Sequence, residues 1–113
     1  VEIIPCPIVR EADGLAMSSR NARLSPEERA EAPAIYKALS AAKENHSWFI
    51  PAGVKQLITG EIQENKYFRV EYVDVVDTET LQAFEDWHDA KHAVVCVAAF
   101  IGNVRLIDNI VLY

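Results

Sequence analysis

The chain has 113 residues, half of them apolar and a quarter charged, with a formal net charge of −6. That length holds one domain with one modest core. The acidic balance argues against nucleic acid, whose binding needs a basic surface, and no apolar run reaches the roughly 18 residues of a membrane span.

The first residues, Val1-Glu2-Ile3-Ile4-Pro5, lack the basic segment of a secretory signal. Cys6 and Cys96 stand far apart with no metal-type spacing. Two reduced thiols, and with them a cytoplasmic location, are the simple reading. Residues 1–9 carry the β-branched Val1, Ile3, Ile4, Ile8 and Val9, interrupted by Pro5 and Pro7. They predict a strand or extended arm, because proline cannot donate to a ladder. An apolar arm without sheet partners tends to pair, so self-association through residues 1–9 is an expectation.

The run Arg10-Glu11-Ala12-Asp13-Gly14-Leu15-Ala16-Met17-Ser18-Ser19-Arg20-Asn21 follows neither a helical nor an alternating pattern. Asp13-Gly14 signals a turn, since glycine accepts the positive φ that tight turns need. Two hydroxyls, a guanidinium and an amide then stand in a row. Such a run serves no core. It can be a plain surface loop ahead of a helix, or it can line an anion with N–H, O–H and guanidinium donors.

Ser25-Pro26-Glu27-Glu28 predicts a helix start, with Ser25 as N-cap, Pro26 at the first position and Glu28 completing a capping box. Ala32, Ile35, Tyr36, Leu39 and Ala42 follow at helical spacing. Pro33 deletes one backbone hydrogen bond inside this pattern, so a kink or a restart is expected there. The helix should fade near Glu44-Asn45-His46. A second helix opens at Pro51, buries Val54, Leu57, Ile58 and Ile62, and ends before Tyr67.

From Phe68 to Asp77 the pattern alternates. Phe68, Val70 and Tyr72 fall on one face, and Val73, Val75 and Val76 then blur the phase as a bulge would. Thr78-Glu79-Thr80 reads as a turn, and residues 81–91 as a short helix or loop. Residues 93–101 are continuously apolar, as a central strand is. Gly102-Asn103 is a two-residue hairpin signal of type II′, and residues 104–112 form the return strand. The expected fold is α+β: a three-stranded antiparallel sheet covered on one face by two helices, with residues 93–101 in the middle.

Few other residues invite chemistry. Asp13 reads as a turn-former. Arg10 and Arg23 either add positive potential to the loop or pair with Glu11 or Glu27, the pairing being the simpler account. Met17 can be a core plug. His88 and His92, four apart with Asp86 and Asp89 nearby, would share a face only on a helix and lack a third ligand, so no metal site is assigned. His46 sits at a helix end. Cys96, inside an apolar strand, reads as a buried, inert thiol. No nucleophile–histidine–acid set is visible, and no catalytic residue is assigned.

The run from Arg10 to Asn21, flanked by Val9 and Leu24, resembles the ATP-binding signature of the pantothenate synthetase (pantoate–β-alanine ligase) family. Arg105-Leu106-Ile107-Asp108-Asn109 fits the same family, so the resemblance covers nearly the whole chain. Many fixed polar positions in twelve residues make it far more specific than a short glycine motif. It implies that residues 1–9 are an interdomain strand and hinge. Residues 10–113 would then be a C-terminal lid domain that works with an N-terminal nucleotide-binding domain. The implied activity joins pantoate to β-alanine through a pantoyl adenylate, with ATP and Mg2+. The implied ATP contacts are Val9 at the adenosine and Met17, Ser18, Ser19 and Arg20 around the phosphates. Their loop would be analogous to the mobile signature of class I aminoacyl-tRNA synthetases. Arg105, Asp108 and Asn109 can serve the lid or the fold, and the lid domain by itself would not catalyse. The competing account is a small α+β binding or oligomerisation module without catalysis, which would have no need of the run Met17–Asn21.

Overall fold

The computed structural model describes residues 9–113. Residues 1–8, with the expected arm, its self-association and Cys6, lie outside the described residues. The chain enters through a tight hairpin. Met17 N donates to Val9 O at 2.9 Å, Arg10 bridges Ala16, and Glu11 N donates to Leu15 O at 2.8 Å. The turn closes with Gly14 N on Glu11 O, and Gly14 has a φ of +97°. A 3-10 turn, Ser19–Arg23, leads to α1 (Pro26–Glu31), α2 (Ala34–Asn45) and α3 (Pro51–Gln63).

The local signals explain these boundaries. Ser25 Oγ accepts from Glu28 N, and Glu28 returns a carboxylate oxygen to Ser25 N, so two orphan donors of α1 are satisfied. Pro33 produces a restart: α1 ends at Glu31 and α2 begins at Ala34, with Pro33 itself at φ −63° and ψ −8°. Such backbone angles keep the two helices nearly continuous while forgoing one N–H.

Strands β1 (Phe68–Asp77), β2 (Ala93–Ile101) and β3 (Val104–Val111) form one antiparallel sheet in the order β1-β2-β3. The apolar strand therefore lies in the middle. Helices α2 and α3 pack on one face, and between them Leu39, Ile58, Ile62, Val73, Val97 and Ile101 are fully buried. The turn at Gly102-Asn103 has positive φ at Gly102 and not at Asn103, as type II′ requires.

One strand departs from expectation. The register jumps between Val70 and Tyr72, so Glu71 is the extra residue of a bulge. The phase flips there, earlier than expected. Phe68 and Val70 face the helices, Tyr72 turns to the outer face, and Val73 and Val75 return to the core. The outer face has a reason to hold Glu71: its carboxylate takes Arg105 Nε at 2.7 Å from the far strand. The pair spans β2 on the outer face, where Arg105 stands opposite Phe100 and the buried Ala98 lies between Tyr72 and Ile107.

Residues 78–92 contain only a short 3-10 turn, Trp87–Asp89. Trp87 donates its indole N–H to Phe49 O at 2.7 Å, and Tyr113 donates its hydroxyl to Trp87 O at 3.1 Å. His46 packs against both rings, which also meet each other edge-on, so the three form one cluster. No helix among the described residues is long and apolar enough to cross a membrane.

Candidate functional site

The hairpin, the start of α2 and the β3 edge of the sheet converge on a cavity of about 100 Å³. Its polar wall contains Ser18, Arg20, Asn21, Tyr36 and Asp108, and Leu15, Ile35 and Leu106 form its floor. The long polar run of the sequence thus stands at the one edge of the sheet that faces the N-terminal hairpin.

Each member of that run has a local reason for its place. Leu15, not Met17, is the apolar plug: Leu15 is buried, whereas Met17 is 54% exposed at the mouth. The backbone of Met17 is tied to the hairpin, its N–H donating to Val9 O, while its side chain stays at the surface. Ser18 caps the 3-10 turn, its Oγ accepting from Arg20 N at 3.1 Å. An accepting hydroxyl keeps its own proton to donate elsewhere. Asn21 closes the loop: its Nδ2 donates to Ala16 O at 3.0 Å and its N–H to Ser18 O at 3.1 Å. That orientation leaves the buried Asn21 Oδ1 without a donor among the described residues. Ser19 and Arg20 are exposed, and Arg20 has no ion pair among the described residues.

Of the five residues expected to contact a nucleotide, Met17, Ser18 and Arg20 line the cavity. Ser19 lies beside it, and Val9, an exposed residue, is bonded to Met17 through its carbonyl. The arrangement offers an anion one guanidinium, unpaired among the described residues, and two hydroxyls on a loop tied at both ends.

The strongest electrostatic feature was not expected. Arg10 pairs with neither Glu11 nor Glu27. Its Nη1 and Nη2 reach Asp108 Oδ2 at 2.7 Å and Oδ1 at 2.9 Å, a two-pronged contact across 98 residues of chain. Asp108 is 4% exposed. It occupies a core-facing position, in one row with Val97 and Val73. An acid there needs a partner, because an unpaired buried charge costs several kcal/mol. The sequence carried a signal for this: Asp108 interrupts the apolar phase of Val104, Leu106 and Ile110. No local feature named Arg10 as the answer.

Of the other candidates, Arg105 also lines the cavity, whereas Asp13, Arg23, Cys96, His88 and His92 lie apart from it. Asp13 is a turn-former, Oδ1 accepting from Leu15 N, and it also pairs with Arg29 at 2.6 Å. That contact with Arg29 holds its carboxyl below the usual value. Arg23 makes no ion pair among the described residues. Arg105 is taken by Glu71, which raises its pKa further. Cys96 is half-buried on the outer face and not in the core. Burial first, and Asp74 second, push its thiol up. His88 and His92 do not share a helix face. His88 stands near Asp86, and His92 Nδ1 lies 3.3 Å from Tyr113 O.

Comparison with known proteins identifies the family of the chain. The family model described as pantoate-beta-alanine ligase matches residues 1–111. A pantothenate synthetase of Porphyromonas gingivalis is 44% identical over 110 residues, covering 97% of this chain and 39% of that protein. One from Clostridioides difficile is 48% identical over 111 residues, covering 96% and 38%. The crystal structure of pantothenate synthetase from Thermus thermophilus superposes with a TM-score of 0.86 at 39% identity, covering 97% of this chain and 40% of that one. A Francisella tularensis pantoate-beta-alanine ligase, complexed with beta-gamma ATP and beta-alanine, gives 0.57 at 25% identity, covering 96% and 33%. The chain thus spans about 39% of the length of the first of these relatives. Its matched sequence, its sheet and its polar loop all point the same way: this chain belongs to the pantoate–beta-alanine ligase family.

Proposed function

We propose that this chain is the ATP-lid domain of a cytoplasmic ligase that condenses pantoate with β-alanine. In the first step the pantoate carboxylate attacks the α-phosphorus of ATP, giving pantoyl adenylate and pyrophosphate. In the second, the amine of β-alanine attacks the acyl carbon and releases AMP. The observation that carries this reading is the loop Ser18–Arg20, which holds a guanidinium unpaired among the described residues, and hydroxyl donors, at the mouth of a cavity.

Arg20 suits two-pronged contact with phosphate oxygens, and Ser18 and Ser19 add neutral donors. Their work is to neutralise charge moving onto the leaving pyrophosphate and to fix its geometry. Val9 would border the adenosine, and Met17 would join Ser18, Ser19 and Arg20 around the phosphates. Closure of the lid would exclude water, which otherwise hydrolyses an acyl adenylate. Magnesium would arrive with the ATP phosphates. The described residues contain no group of three His, Cys, Asp or Glu able to hold an ion, so no step is assigned to it through this chain. Pantoate and β-alanine would be bound mainly by an N-terminal nucleotide-binding domain, and the 113 residues alone would not turn over.

The test is a chimera in which this chain replaces the matching segment of the Porphyromonas gingivalis enzyme. Pantoate, β-alanine, ATP and magnesium are supplied and AMP is measured. Turnover by the chimera, and none by the 113-residue chain, is the expected result. A folded chimera that makes no AMP sinks the proposal.

A further inference from the structure

Arg10 and Asp108 do more than satisfy each other. The two terminal nitrogens of Arg10 make four hydrogen bonds: two to the Asp108 carboxylate, one to Gly14 O at 3.0 Å and one to Asn109 O at 3.3 Å. The guanidinium lies 4.1 Å from the centre of the Tyr36 ring. Asp108 Oδ1 also accepts Asn109 N–H at 2.7 Å, which fixes the carboxylate on its strand. One side chain therefore ties three separate elements together: the hairpin at its own root and tip, α2 through Tyr36, and β3.

Net stability is a poor reason for such a device. A buried ion pair roughly repays its own desolvation, and apolar residues of like volume do as well. What it supplies is geometry, because a planar fork on a carboxylate admits little rotation or slip. The direction in which that geometry travels is short. Arg10 bridges Ala16 across the hairpin, Met17 N is bonded to Val9 O, and the next residues are Ser18, Ser19 and Arg20. Asn21 then ties the far end of the loop back to Ala16 O. Any shift of Arg10 relative to β3 is carried by two ladder contacts into the loop.

We infer that Arg10 and Asp108 are positioning residues, a clamp that fixes where Ser18, Ser19 and Arg20 stand against the triphosphate. The role rests on the ATP-lid reading above. Neither residue touches the reacting atoms in it. Misplacement by about 1 Å can cost 10²-fold in rate, so the pair acts through placement and not through contact.

Two conservative variants test it. Asp108→Asn keeps the shape and one acceptor but loses a charge-assisted bond. Arg10→Lys keeps the charge but loses the fork. In the chimera, pantoate-dependent ATP–pyrophosphate exchange is measured per folded molecule, well below each melting temperature. Each variant should lose about 10- to 100-fold in exchange rate, with the KM for ATP changed less than about threefold because the phosphate contacts themselves remain. In the 113-residue chain, amide resonances of Ser18–Arg20 should shift in both variants while those around Ile58 hold still. Unchanged exchange per folded molecule together with unmoved Ser18–Arg20 resonances, beside a lower melting temperature, would show a purely structural pair and overturn the inference. If the parent chimera exchanges no pyrophosphate, the ATP-lid reading falls. The resonances then decide separately whether the pair sets the loop. If one variant fails to fold, the other carries the test.

Discussion

The ring of Tyr36 fills the space into which a side chain on Gly14 would grow. Gly14 also sits at a φ of +97°, which side chains rarely adopt. Both constraints follow from one arrangement: the hairpin must turn tightly and press its tip on α2, so that Tyr36 lies under Arg10. Gly14→Ala should therefore lose about 3 kcal/mol, from backbone strain and overpacking together. Urea unfolding of the 113-residue chain measures it. A loss under about 0.5 kcal/mol, the size of an ordinary surface change, would mean that the turn is not held as described.

Gly60 is the opposite case. It lies inside α3, is exposed, and has open space where a Cβ would stand. Gly60→Ala should stabilise the chain by about 1 kcal/mol through helix propensity and a less free unfolded state. The same urea experiment reads it. Destabilisation would show that this face of α3 is not free.

Asp13 and Arg29 link the turn to α1 at 2.6 Å. Hydrogen bonding from Arg29 holds the Asp13 carboxyl below 3.8 in the folded chain. The unfolded chain then binds the proton more tightly. The contribution of the pair is fully present above the unfolded value and is lost as pH falls through the folded one. Melting temperatures between neutral pH and about pH 2 should therefore fall less steeply for Asp13→Asn than for the parent on the acid side of about pH 4. Both partners are solvent-exposed, so the effect is small and should shrink further in high salt. Identical acid limbs for parent and variant would exclude the linkage.

Arg20→Ala in the chimera should damage chemistry more than folding. Its side chain is exposed and unpaired among the described residues, so truncating it opens no cavity. Losing a donor to the pyrophosphate should cost about 10²–10³ in exchange rate, or about 3–4 kcal/mol. Arg20→Lys should recover part of this, since charge remains and the fork is lost. Ser19→Ala should do less, removing one neutral donor. Ser18→Ala should additionally destabilise the loop by about 1 kcal/mol, because Ser18 Oγ caps the 3-10 turn. Parental exchange in Arg20→Ala with a sharp fall in melting temperature would make Arg20 structural.

The apolar periodicity of the chain determined the elements. Ser25 and Glu28 marked where α1 starts, Pro33 where it must restart, and Gly102-Asn103 how β2 returns as β3. These are interactions between residues a few positions apart, whose physics depends on little else. The polar run around Met17–Asn21 was legible for a related reason: a row of donors that serves no core is conspicuous without knowing its neighbours. The family resemblance rested on that row.

Only the tertiary structure decided what the charged residues do. Arg10 meets Asp108 across 98 positions of chain and Glu71 meets Arg105 across 34, and no spacing rule joins residues that far apart. The bulge at Glu71 shifts the register of β1 against β2, so the phase of Tyr72 could not be read from alternation alone. Met17 fell outside the core because Leu15 had already filled the space beneath the hairpin. Hydrophobic burial is a property of each residue and is written locally. The partner of a buried charge is a property of the whole packing, settled only once hairpin, helix and strand edge have met.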